Sequence, residues 1–316
     1  MGKIDISVII VVQNRAEVLP TSLSHLEHQS FPSARYEVIA VDDGSTDESY
    51  DVLKRQAEGA PMRVQLLHQN QSGLNQARNL ALESASGKWL LFLDQDILAG
   101  PHLLERHLEA HERLGGDTGV VGAIHRHPHL SKGVLSTRLL PMQMHEAPPE
   151  NTPLSFLEWN FANMSLPRNH FMAFGGFDTS TRFFGCGGAE IAWRLMGHGV
   201  QAFAEPTATA YDWREAPISS RRIDAYQQGF ALYELEQELR SGEIQLRYRL
   251  DRSVARHLLD AFMIPLLARL GRNRPRYLPS LQRLTPRILS YDLYCGYRDA
   301  RLGRHRHQLG PVAESH

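Results

Sequence analysis

Four short apolar runs alternate with segments of helical periodicity through the first hundred residues, and this order constrains the fold more than any other feature. The runs are rich in β-branched and aromatic residues, which is typical of buried strands: ISVIIVV (residues 6–12), YEVIAV (36–41), VQLLH (64–68) and WLLFL (89–93). Between the first two runs, Leu19, Leu23 and Leu26 have the spacing of one helix face. Strand–helix alternation at this spacing predicts βαβ units, and therefore an α/β fold with a mainly parallel sheet and flanking helices.

Carboxylates occur where the predicted strands end. Asp42 and Asp43 close the second strand, and Asp94 and Asp96 follow the fourth in LLFLDQDILAG (residues 90–100). Ligands bind parallel sheets outside the carboxyl ends of the strands. If the segment is extended, Asp94 and Asp96 leave it on the same side, where they repel each other unless a cation, an arginine or water separates them. The pattern indicates either a cation site or a solvated turn.

The bulk composition is compatible with an ordinary soluble enzyme. Hydrophobic residues make up 42% of the 316 residues and the formal net charge is −1, so overall charge does not favour a nucleic-acid partner. No apolar run reaches the roughly 18–20 residues that span a bilayer. The start, MGKIDISVII, passes directly into a strand pattern without the zones of a signal peptide. Cys186 and Cys295 form no motif, which favours a reducing compartment, and we expect a cytoplasmic protein.

Charge is distributed unevenly along the chain. Residues 240–316 contain 15 Arg, 6 Asp or Glu and no Lys, a balance of +9, which leaves −10 for the first 239 residues. We therefore expect a main domain over residues 1–218 and a mostly helical, Arg-rich extension over residues 219–316. Within the extension, residues 255–272 are mostly apolar with basic ends. Pro265 interrupts their pattern, which favours packing on the main domain over peripheral contact with the inner face of a membrane.

Four motifs in order resemble the family 2 glycosyltransferases. They are SVIIVVQNRAEVL (7–19), VDDGSTD (41–47), SGLNQARNLAL (72–82) and LDQD (93–96). The resemblance covers roughly residues 6–213 and implies the nucleotide-sugar-binding GT-A fold, with a nucleotide-sugar half over residues 1–100 and an acceptor half over residues 101–218. The opening loop departs from the family, because Gln13 replaces a Tyr and Val12 replaces a Pro or Thr.

The resemblance implies a set of donor-binding residues. Those assigned to the nucleotide are Val11, Asn14, Asp43, Arg78 and Asp94. In the family, the counterpart of Asp43 accepts a hydrogen bond from the base, which favours a UDP-sugar, and the counterpart of Asp96 binds Mn²⁺ or Mg²⁺. Such a cation neutralises the leaving diphosphate, and carboxylate oxygens suit it. Asp94 accepts from the ribose or pairs with Arg78. Alternatively, Asp42 and Asp43 cap the next helix and Arg78 is a surface residue.

The second half resembles the acceptor side of the family. The segments are WNFANMSLPRNHFMAFGGFD (159–178) and FFGCGGAEIAWRLMGHG (183–199). The family has a Glu-Asp pair in the second segment, whose Asp is the general base. Here Ala189 and Glu190 stand at those positions, so the resemblance implies Glu190 as the base. Ala189 cannot replace a carboxylate that binds the acceptor.

Asp212 stands where relatives often supply a His to the metal. It is either an oxygen ligand for Mn²⁺ or Mg²⁺ or a loop acid paired with Arg214. The histidine runs HRHPHL (125–130) and GRHRHQ (303–308) lack the spacing of a zinc site, and we interpret them as a loop and a basic tail.

The sequence thus predicts a metal-dependent, inverting glycosyltransferase that moves a sugar from a nucleoside-diphosphate sugar to a hydroxyl of a carbohydrate or lipid-linked acceptor. A catalytically silent sugar-nucleotide- or glycan-binding relative is the main alternative, because of Ala189 and the altered opening loop. A metal-dependent phosphate-transfer enzyme of another fold is disfavoured, since Val11, Val12 and Gln13 occupy the place of its nucleophilic acid.

Overall fold

The computed structural model describes residues 3–128, 148–180, 186–213, 218–240, 242–248 and 278–304. These residues group into two compact units. One contains a large sheet with its helices, and the other contains the helices that follow residue 217. The apolar run at 255–272, the end of the first histidine run (129–130), most of the second (305–308) and the start of the 183–199 segment lie outside the described residues. His125 and Arg126 are the last two residues of a strand, so their interpretation as loop residues is wrong.

A single mixed sheet of eight strands organises the described part of the first unit. The strands are β1 (Ile6–Val12), β2 (Tyr36–Asp43), β3 (Arg63–Gln69), β4 (Trp89–Leu93), β5 (Ile97–Ala99), β6 (Gly119–Arg126), β7 (Asn163–Pro167) and β8 (Ala202–Asp212). Their order is β3-β2-β1-β4-β7-β6-β8-β5. The first four strands are parallel, and β7 pairs antiparallel with both β4 and β6. The α/β fold and the four strands predicted from the first hundred residues are confirmed.

Helices connect these strands. They are α1 (Leu19–Glu27), α2 (Ser49–Gly59), α3 (Leu74–Ser84), α4 (Leu103–Leu114), α5 (Arg168–Phe174) and α6 (Gly187–Gly197). Short 3₁₀ turns cover Ser33–Arg35 and Phe156–Glu158. In the main core, alternate residues of β1 pack with one face of α1, as the period-2 and period-3.6 patterns require: Ile6, Val8, Ile10 and Val12 with Leu19, Leu23 and Leu26.

A buried carboxylate ties together the amino ends of three segments of the sheet. Glu37 of β2 accepts from the Ser7 hydroxyl at 2.6 Å and from the Ser86 backbone N–H at 2.7 Å. Gly87 N–H donates to Ser7 Oγ at 2.8 Å. Burial raises the pKa of Glu37, but hydrogen bonds from Ser7, Ser86 and Gln65 outweigh burial and hold the pKa below its usual range. Glu37 is therefore a structural anion that fixes the end of the sheet opposite the acidic triplet.

The second unit contains α7 (Ile218–Leu239), α8 (Glu243–Tyr248) and α9 (Leu278–Arg301). Helices α7 and α9 approach closely because glycines face the crossing: a Cβ on Gly229 would overlap the Leu293 carbonyl, and one on Gly296 would overlap the Tyr226 carbonyl. Arg222 and Asp292 form a two-pronged ion pair across the same helices, at 2.8 and 3.1 Å. Among the described residues, no helix combines the length and the apolarity that a membrane crossing requires.

Candidate functional site

The carboxyl ends of β1, β2 and β4 bring the predicted polar residues to one edge of the sheet. At the end of β2, Asp43 is 3% exposed and its Oδ1 accepts from Gln69 Nε2 at 2.7 Å and from the Ser72 N–H at 2.8 Å. Its Oδ2 accepts from the Gly73 N–H at 3.0 Å. Asp43 thus fixes the segment that leads into α3, whereas the N-cap of α2 is Glu48. The alternative interpretation of Asp43 as a cap for α2 is wrong.

Asp42 lies on the opposite face of the strand and is fully buried. Its Oδ2 accepts from His68 Nδ1 at 2.9 Å and from the Ser45 N–H at 3.3 Å. In the described part of the chain, its Oδ1 has no hydrogen-bond partner. Asp42 therefore orders the turn after β2 and the end of β3, and does not cap α2.

The loop after β1 carries Asn14, whose φ of 51° is left-handed. Its Oδ1 accepts from the Thr46 N–H at 2.8 Å, and its own N–H donates to Ser45 Oγ at 3.0 Å. Gln13 donates through Nε2 to the Asp43 carbonyl at 3.1 Å. These contacts join the loops after β1 and β2, while Val11 remains partly exposed near the end of its strand. Asn14 thus shapes the edge, and its predicted contact with a nucleotide stays a prediction.

Arg78 of α3 is enclosed by aromatic rings. Its Cζ lies 5.9, 5.8 and 5.3 Å from the ring centroids of Phe92, Phe161 and Phe177. Its Nη2 donates to Asp94 Oδ1 at 3.2 Å. Burial lowers the pKa of the Arg78 guanidinium, and the nearby Asp94 carboxylate opposes that shift. Arg78 is 6% exposed, so its interpretation as a surface residue is wrong.

The acidic triplet forms a turn and is not extended. The Ile97 N–H donates to the Asp94 carbonyl at 3.0 Å, which closes a tight turn between β4 and β5. Asp94 therefore faces Arg78, while Asp96 accepts through Oδ1 from Arg15 Nε at 2.9 Å. The middle residue, Gln95, accepts from the Gln13 N–H at 2.8 Å. The two carboxylates are each held by a different arginine.

Asp212 comes to the same turn through strand pairing. It is the last residue of β8 and stands opposite Ile97 in the antiparallel β5–β8 pair. The Trp213 N–H donates to the Asp96 carbonyl at 2.9 Å. Asp96 and Asp212 are 5% and 4% exposed. The two predicted metal ligands thus lie at the same end of the β5–β8 pair, Asp96 directly before β5 and Asp212 at the end of β8. Arg214, the alternative partner of Asp212, lies outside the described residues.

The chemistry of these residues fits a hard divalent cation in part. Among the described residues, no group of three or more His, Cys, Asp or Glu side chains is arranged to hold a metal ion. Mg²⁺ is commonly bound through one or two carboxylates together with substrate phosphates and water. Asp96 and Asp212 supply two such carboxylates on paired segments. The protein part of the site therefore suits a cation that arrives with a phosphate ligand, provided that Arg15 releases Asp96.

Glu190 lies in the first turn of α6 and is 9% exposed. Both of its oxygens accept from Arg194, Oε1 from Nε at 2.8 Å and Oε2 from Nη2 at 3.0 Å. Arg194 also donates to the carbonyls of Phe174, the last residue of α5, and of Gly176 in the turn that follows. Ala189 is fully buried. Glu190 is thus an oriented carboxylate whose guanidinium partner ties α6 to the turn after α5.

Sequence reasoning missed the two arginines that hold the proposed metal ligand and the proposed base. Arg194 has a recognisable signal, because Glu190 and Arg194 have the i, i+4 spacing of a helical ion pair. Arg15 has none, since 81 residues separate it from Asp96. That contact depends on parallel pairing of β1 with β4, which places the loops after both strands side by side.

Comparisons with known proteins agree with the fold. The family model described as glycosyl transferase family 2 matches residues 7–171. Validoxylamine A glucosyltransferase of Streptomyces hygroscopicus subsp. jinggangensis is 31% identical over 221 residues, which cover 62% of this chain and 52% of that protein. The poly(ribitol-phosphate) β-N-acetylglucosaminyltransferase TarS of Staphylococcus aureus is 34% identical over 90 residues, 28% of this chain and 16% of that protein. The chain spans about half the length of the first curated relatives it matches.

Two solved structures share the fold over nearly the whole chain. The mannosyltransferase PcManGT from Pyrobaculum calidifontis, in complex with GDP-Man and Mn²⁺, has a TM-score of 0.64 and 18% identity, covering 95% of this chain and 88% of that one. TarS 1–349 from S. aureus, in complex with UDP, has a TM-score of 0.55 and 13% identity, covering 96% and 93%. At these identities the likeness establishes the GT-A architecture.

Proposed function

Because the chain belongs to glycosyl transferase family 2, we propose that it transfers a sugar from a nucleoside-diphosphate sugar to an acceptor hydroxyl, with inversion at the anomeric carbon. One observation carries this proposal: Asp43, Asp94 with Arg78, Asp96 and Asp212 all lie at the carboxyl-end edge of the sheet. Parallel α/β sheets bind their ligands at this edge.

The donor is proposed to be a UDP-sugar. Asp43 is buried, and hydrogen bonds from Gln69, Ser72 and Gly73 hold its carboxyl group in place. A carboxylate can accept further hydrogen bonds, so Asp43 suits a ring N–H donor such as that of uracil. Solved relatives bind different bases, since one contains GDP-Man and another contains UDP. Val11 and Asn14 line the same edge, and Asp94, which contacts Arg78 and is 31% exposed, is proposed to contact the ribose.

Mn²⁺ or Mg²⁺ is proposed as the cofactor, held by Asp96 and Asp212, and it would supply neutralisation of the leaving diphosphate. The presence of Mn²⁺ in a structure of the same fold supports this part of the proposal. Glu190 is proposed to take the proton of the acceptor hydroxyl, because it is an oriented, largely buried carboxylate at a helix start. The acceptor is proposed to be a carbohydrate or a lipid-linked glycan.

Thermal unfolding with nucleotides tests the donor site. UDP, GDP, dTDP and CMP are each added with Mn²⁺, with Mg²⁺ and with a chelator. A ligand at about 100 times its dissociation constant stabilises the fold by about 2.7 kcal/mol, so one nucleoside diphosphate should raise the melting temperature only in the presence of the cation. Asp96→Asn should abolish the rise, and Asp5→Asn, which breaks the Arg35 ion pair at 2.6 Å, should leave it intact. A rise that survives Asp96→Asn would refute the assignment of Asp96.

A second function, a catalytically silent sugar-nucleotide-binding relative, is favoured by the two-pronged contact of Arg194 with Glu190 and by Ala189. Glu190→Gln separates the two functions, since the amide keeps the shape of the side chain and cannot accept a proton. In the transferase, this change should lower the rate of donor turnover at least about 100-fold with unchanged nucleotide affinity. Arg194→Gln is the companion variant, because it frees Glu190 without removing it. Wild-type protein that binds the nucleotide and shows no turnover with any acceptor or water would favour the silent relative.

A further inference from the structure

Arg15 is held by its backbone next to the acidic triplet. Its N–H donates to Ser49 Oγ at 2.8 Å, and the N–H of Ala16 donates to Asp47 Oδ2 at 3.2 Å. Asn14, the preceding residue, is tied to the loop after β2. The Cα of Arg15 is therefore fixed relative to β2, and its side chain is the part that can change position.

The guanidinium of Arg15 is only partly used. Its Nε donates to Asp96 Oδ1 at 2.9 Å, and its Nη1 donates to the Asn14 carbonyl at 3.1 Å. Within the described chain, its Nη2 makes no hydrogen bond. The side chain is 42% exposed, whereas that of Asp96 is 7% exposed. Arg15 thus presents unused donors at the edge where a ligand of the sheet would lie.

Arg194 provides the contrast within the same unit. All three of its guanidinium nitrogens donate, to Glu190 and to the carbonyls of Phe174 and Gly176, and its side chain is 29% exposed. Such saturation is expected of an arginine whose role is to hold the fold together. Arg15 contacts one charged group, Asp96, and does so through Nε alone. An arginine held to a carboxylate by a single hydrogen bond can exchange that partner for another.

Arg15 and a divalent cation compete for the Asp96 carboxylate. A cation on the Asp96 carboxylate would repel the guanidinium that now lies 2.9 Å from Oδ1. The entry of a diphosphate brings a new anion to the same edge. A planar guanidinium matches two phosphate oxygens better than an ammonium does, so the diphosphate is a suitable new partner for Arg15.

We propose that Arg15 is a donor-binding residue that exchanges Asp96 for the diphosphate. Before the donor binds, Arg15 neutralises Asp96 and competes with the cation; when the cation and the diphosphate enter together, Arg15 turns to the diphosphate. Cation and diphosphate then bind cooperatively, since each assists the other in displacing the Arg15–Asp96 pair. This inference rests on the proposed function of the edge as a donor site.

Calorimetric titrations of wild type and Arg15→Gln test the exchange. The ligands are MnCl₂ alone, and UDP, GDP and UMP in saturating Mn²⁺. Arg15→Gln should bind Mn²⁺ alone about two- to fivefold more tightly, because a competing, partly exposed ion pair is removed. It should bind the preferred diphosphate about tenfold or more weakly, because charge-assisted hydrogen bonds are lost, and UMP with a smaller change. The opposite signs for cation and diphosphate distinguish exchange from a structural role.

Two further variants sharpen the test. Arg35→Gln is the matched control, since Arg35 also donates through Nε to a single aspartate, Asp5, near the amino ends of the strands, and it should change neither affinity. Arg15→Lys keeps a positive charge for Asp96 but lacks the planar fork. It should bind Mn²⁺ alone like wild type and the diphosphate more weakly.

Three results would overturn the inference. If Arg15→Gln binds the diphosphate as tightly as wild type, Arg15 does not contact it. If the variant binds both Mn²⁺ alone and the diphosphate more weakly and also has a lower melting temperature, the role of Arg15 is to stabilise the loop after β1. If wild type binds no nucleoside diphosphate with Mn²⁺, the proposed donor site itself fails, and this outcome is recognisable because it appears without any substitution.

Discussion

Arg78 is a cation enclosed by three phenylalanine rings, and this environment makes it a structural as well as a candidate functional residue. Phe92, Phe161 and Phe177 lie with their ring centroids 5.2–5.4 Å apart, in edge-to-face arrangements. The guanidinium contributes packing to this cluster and places a positive charge beside Asp94. Its removal leaves both a gap among the rings and an unpaired carboxylate.

We expect Arg78→Ala to lower the free energy of unfolding by about 2–3 kcal/mol, because it creates a cavity and breaks a largely buried ion pair. Asp94 is 31% exposed and regains some hydration, which keeps the loss below that of a fully buried pair. Urea denaturation measures the difference. Arg106→Ala is the control, since Arg106 and Glu109 are both about half exposed, and it should change the free energy by no more than about 0.5 kcal/mol. Equal effects of the two substitutions would mean that the aromatic enclosure contributes nothing.

Residue type alone does not separate structural from functional carboxylates. Glu37 and Asp96 are both nearly inaccessible acids in the sheet, yet Glu37 is held by neutral hydroxyl, amide and backbone donors, with Arg63 at 3.4 Å. Asp96 is held by an exposed arginine at the opposite edge. A carboxylate whose cation can leave is suited to bind another cation, whereas one fixed by the backbone is not.

At the scale of elements, α4 and β7 are joined by a buried chain of hydrogen bonds. Asn163 Nδ2 donates to the carbonyls of Ala123 and Ala208, so its Oδ1 must accept from His107 Nε2–H at 3.0 Å. His107 Nδ1 then accepts from the Ser165 hydroxyl at 2.8 Å. The same Ser165 oxygen accepts from His111 Nε2–H at 2.6 Å, and the His111 ring stacks on Trp89 with centroids 3.8 Å apart. In this order of donors the His107 imidazole is neutral, because its Nδ1 accepts, and burial favours the neutral form of the His111 imidazole as well.

The pH dependence of stability follows from these two histidines. Burial lowers the pKa of His107 to about 4, and burial together with repulsion from His107 and Lys88 lowers that of His111 to about 2. Both native pKa values lie below the ordinary value of 6.5, so between each native value and 6.5 the unfolded chain binds more protons than the folded chain. The contribution of the two neutral histidines to stability is therefore complete above pH 6.5 and is lost as the pH falls. At pH 5 each histidine should remove about 2 kcal/mol from the free energy of unfolding.

Two measurements check this expectation. Urea denaturation at pH 7 and pH 5 gives the loss of free energy, and NMR of the imidazole resonances follows protonation directly. In the native state the resonances of His107 and His111 should not titrate between pH 7.5 and 5, whereas in urea both should titrate near 6.5. If either ring titrates above pH 5 in the native state, the fold does not hold both imidazoles neutral.

The spacing of His107 and His111 also shows how an element acquires its role from its surroundings. Two histidines at i, i+4 on a helix are a pattern that zinc enzymes use. Here the face that carries them packs on β7 and Trp89, and both rings are fully buried in hydrogen bonds and stacking. The same pattern on a face open to solvent would be available to a metal.

At the scale of the whole molecule, one continuous sheet brings residues from both ends of a 200-residue stretch to one edge. β1 begins at Ile6 and β8 ends at Asp212, and the antiparallel β5–β8 pair is what places Asp212 beside the acidic triplet. The family model matches residues 7–171, so Asp212 lies beyond the matched stretch and reaches this edge through strand pairing. The helices α7, α8 and α9 belong to the second unit, with glycine-mediated packing and an ion pair between Arg222 and Asp292.

The sequence by itself determined the α/β class, the four parallel strands, the edge at which Asp43, Asp94 and Asp96 lie, and the family. These features depend on local periodicity and on motifs of a few residues, which can be recognised without knowing which distant residues come together. The tertiary structure alone decided that Arg15 pairs with Asp96 and that Arg78 is enclosed by Phe92, Phe161 and Phe177. Partners that lie 81 or 83 residues apart meet only through strand order and side-chain packing, and neither leaves a local signal in the sequence.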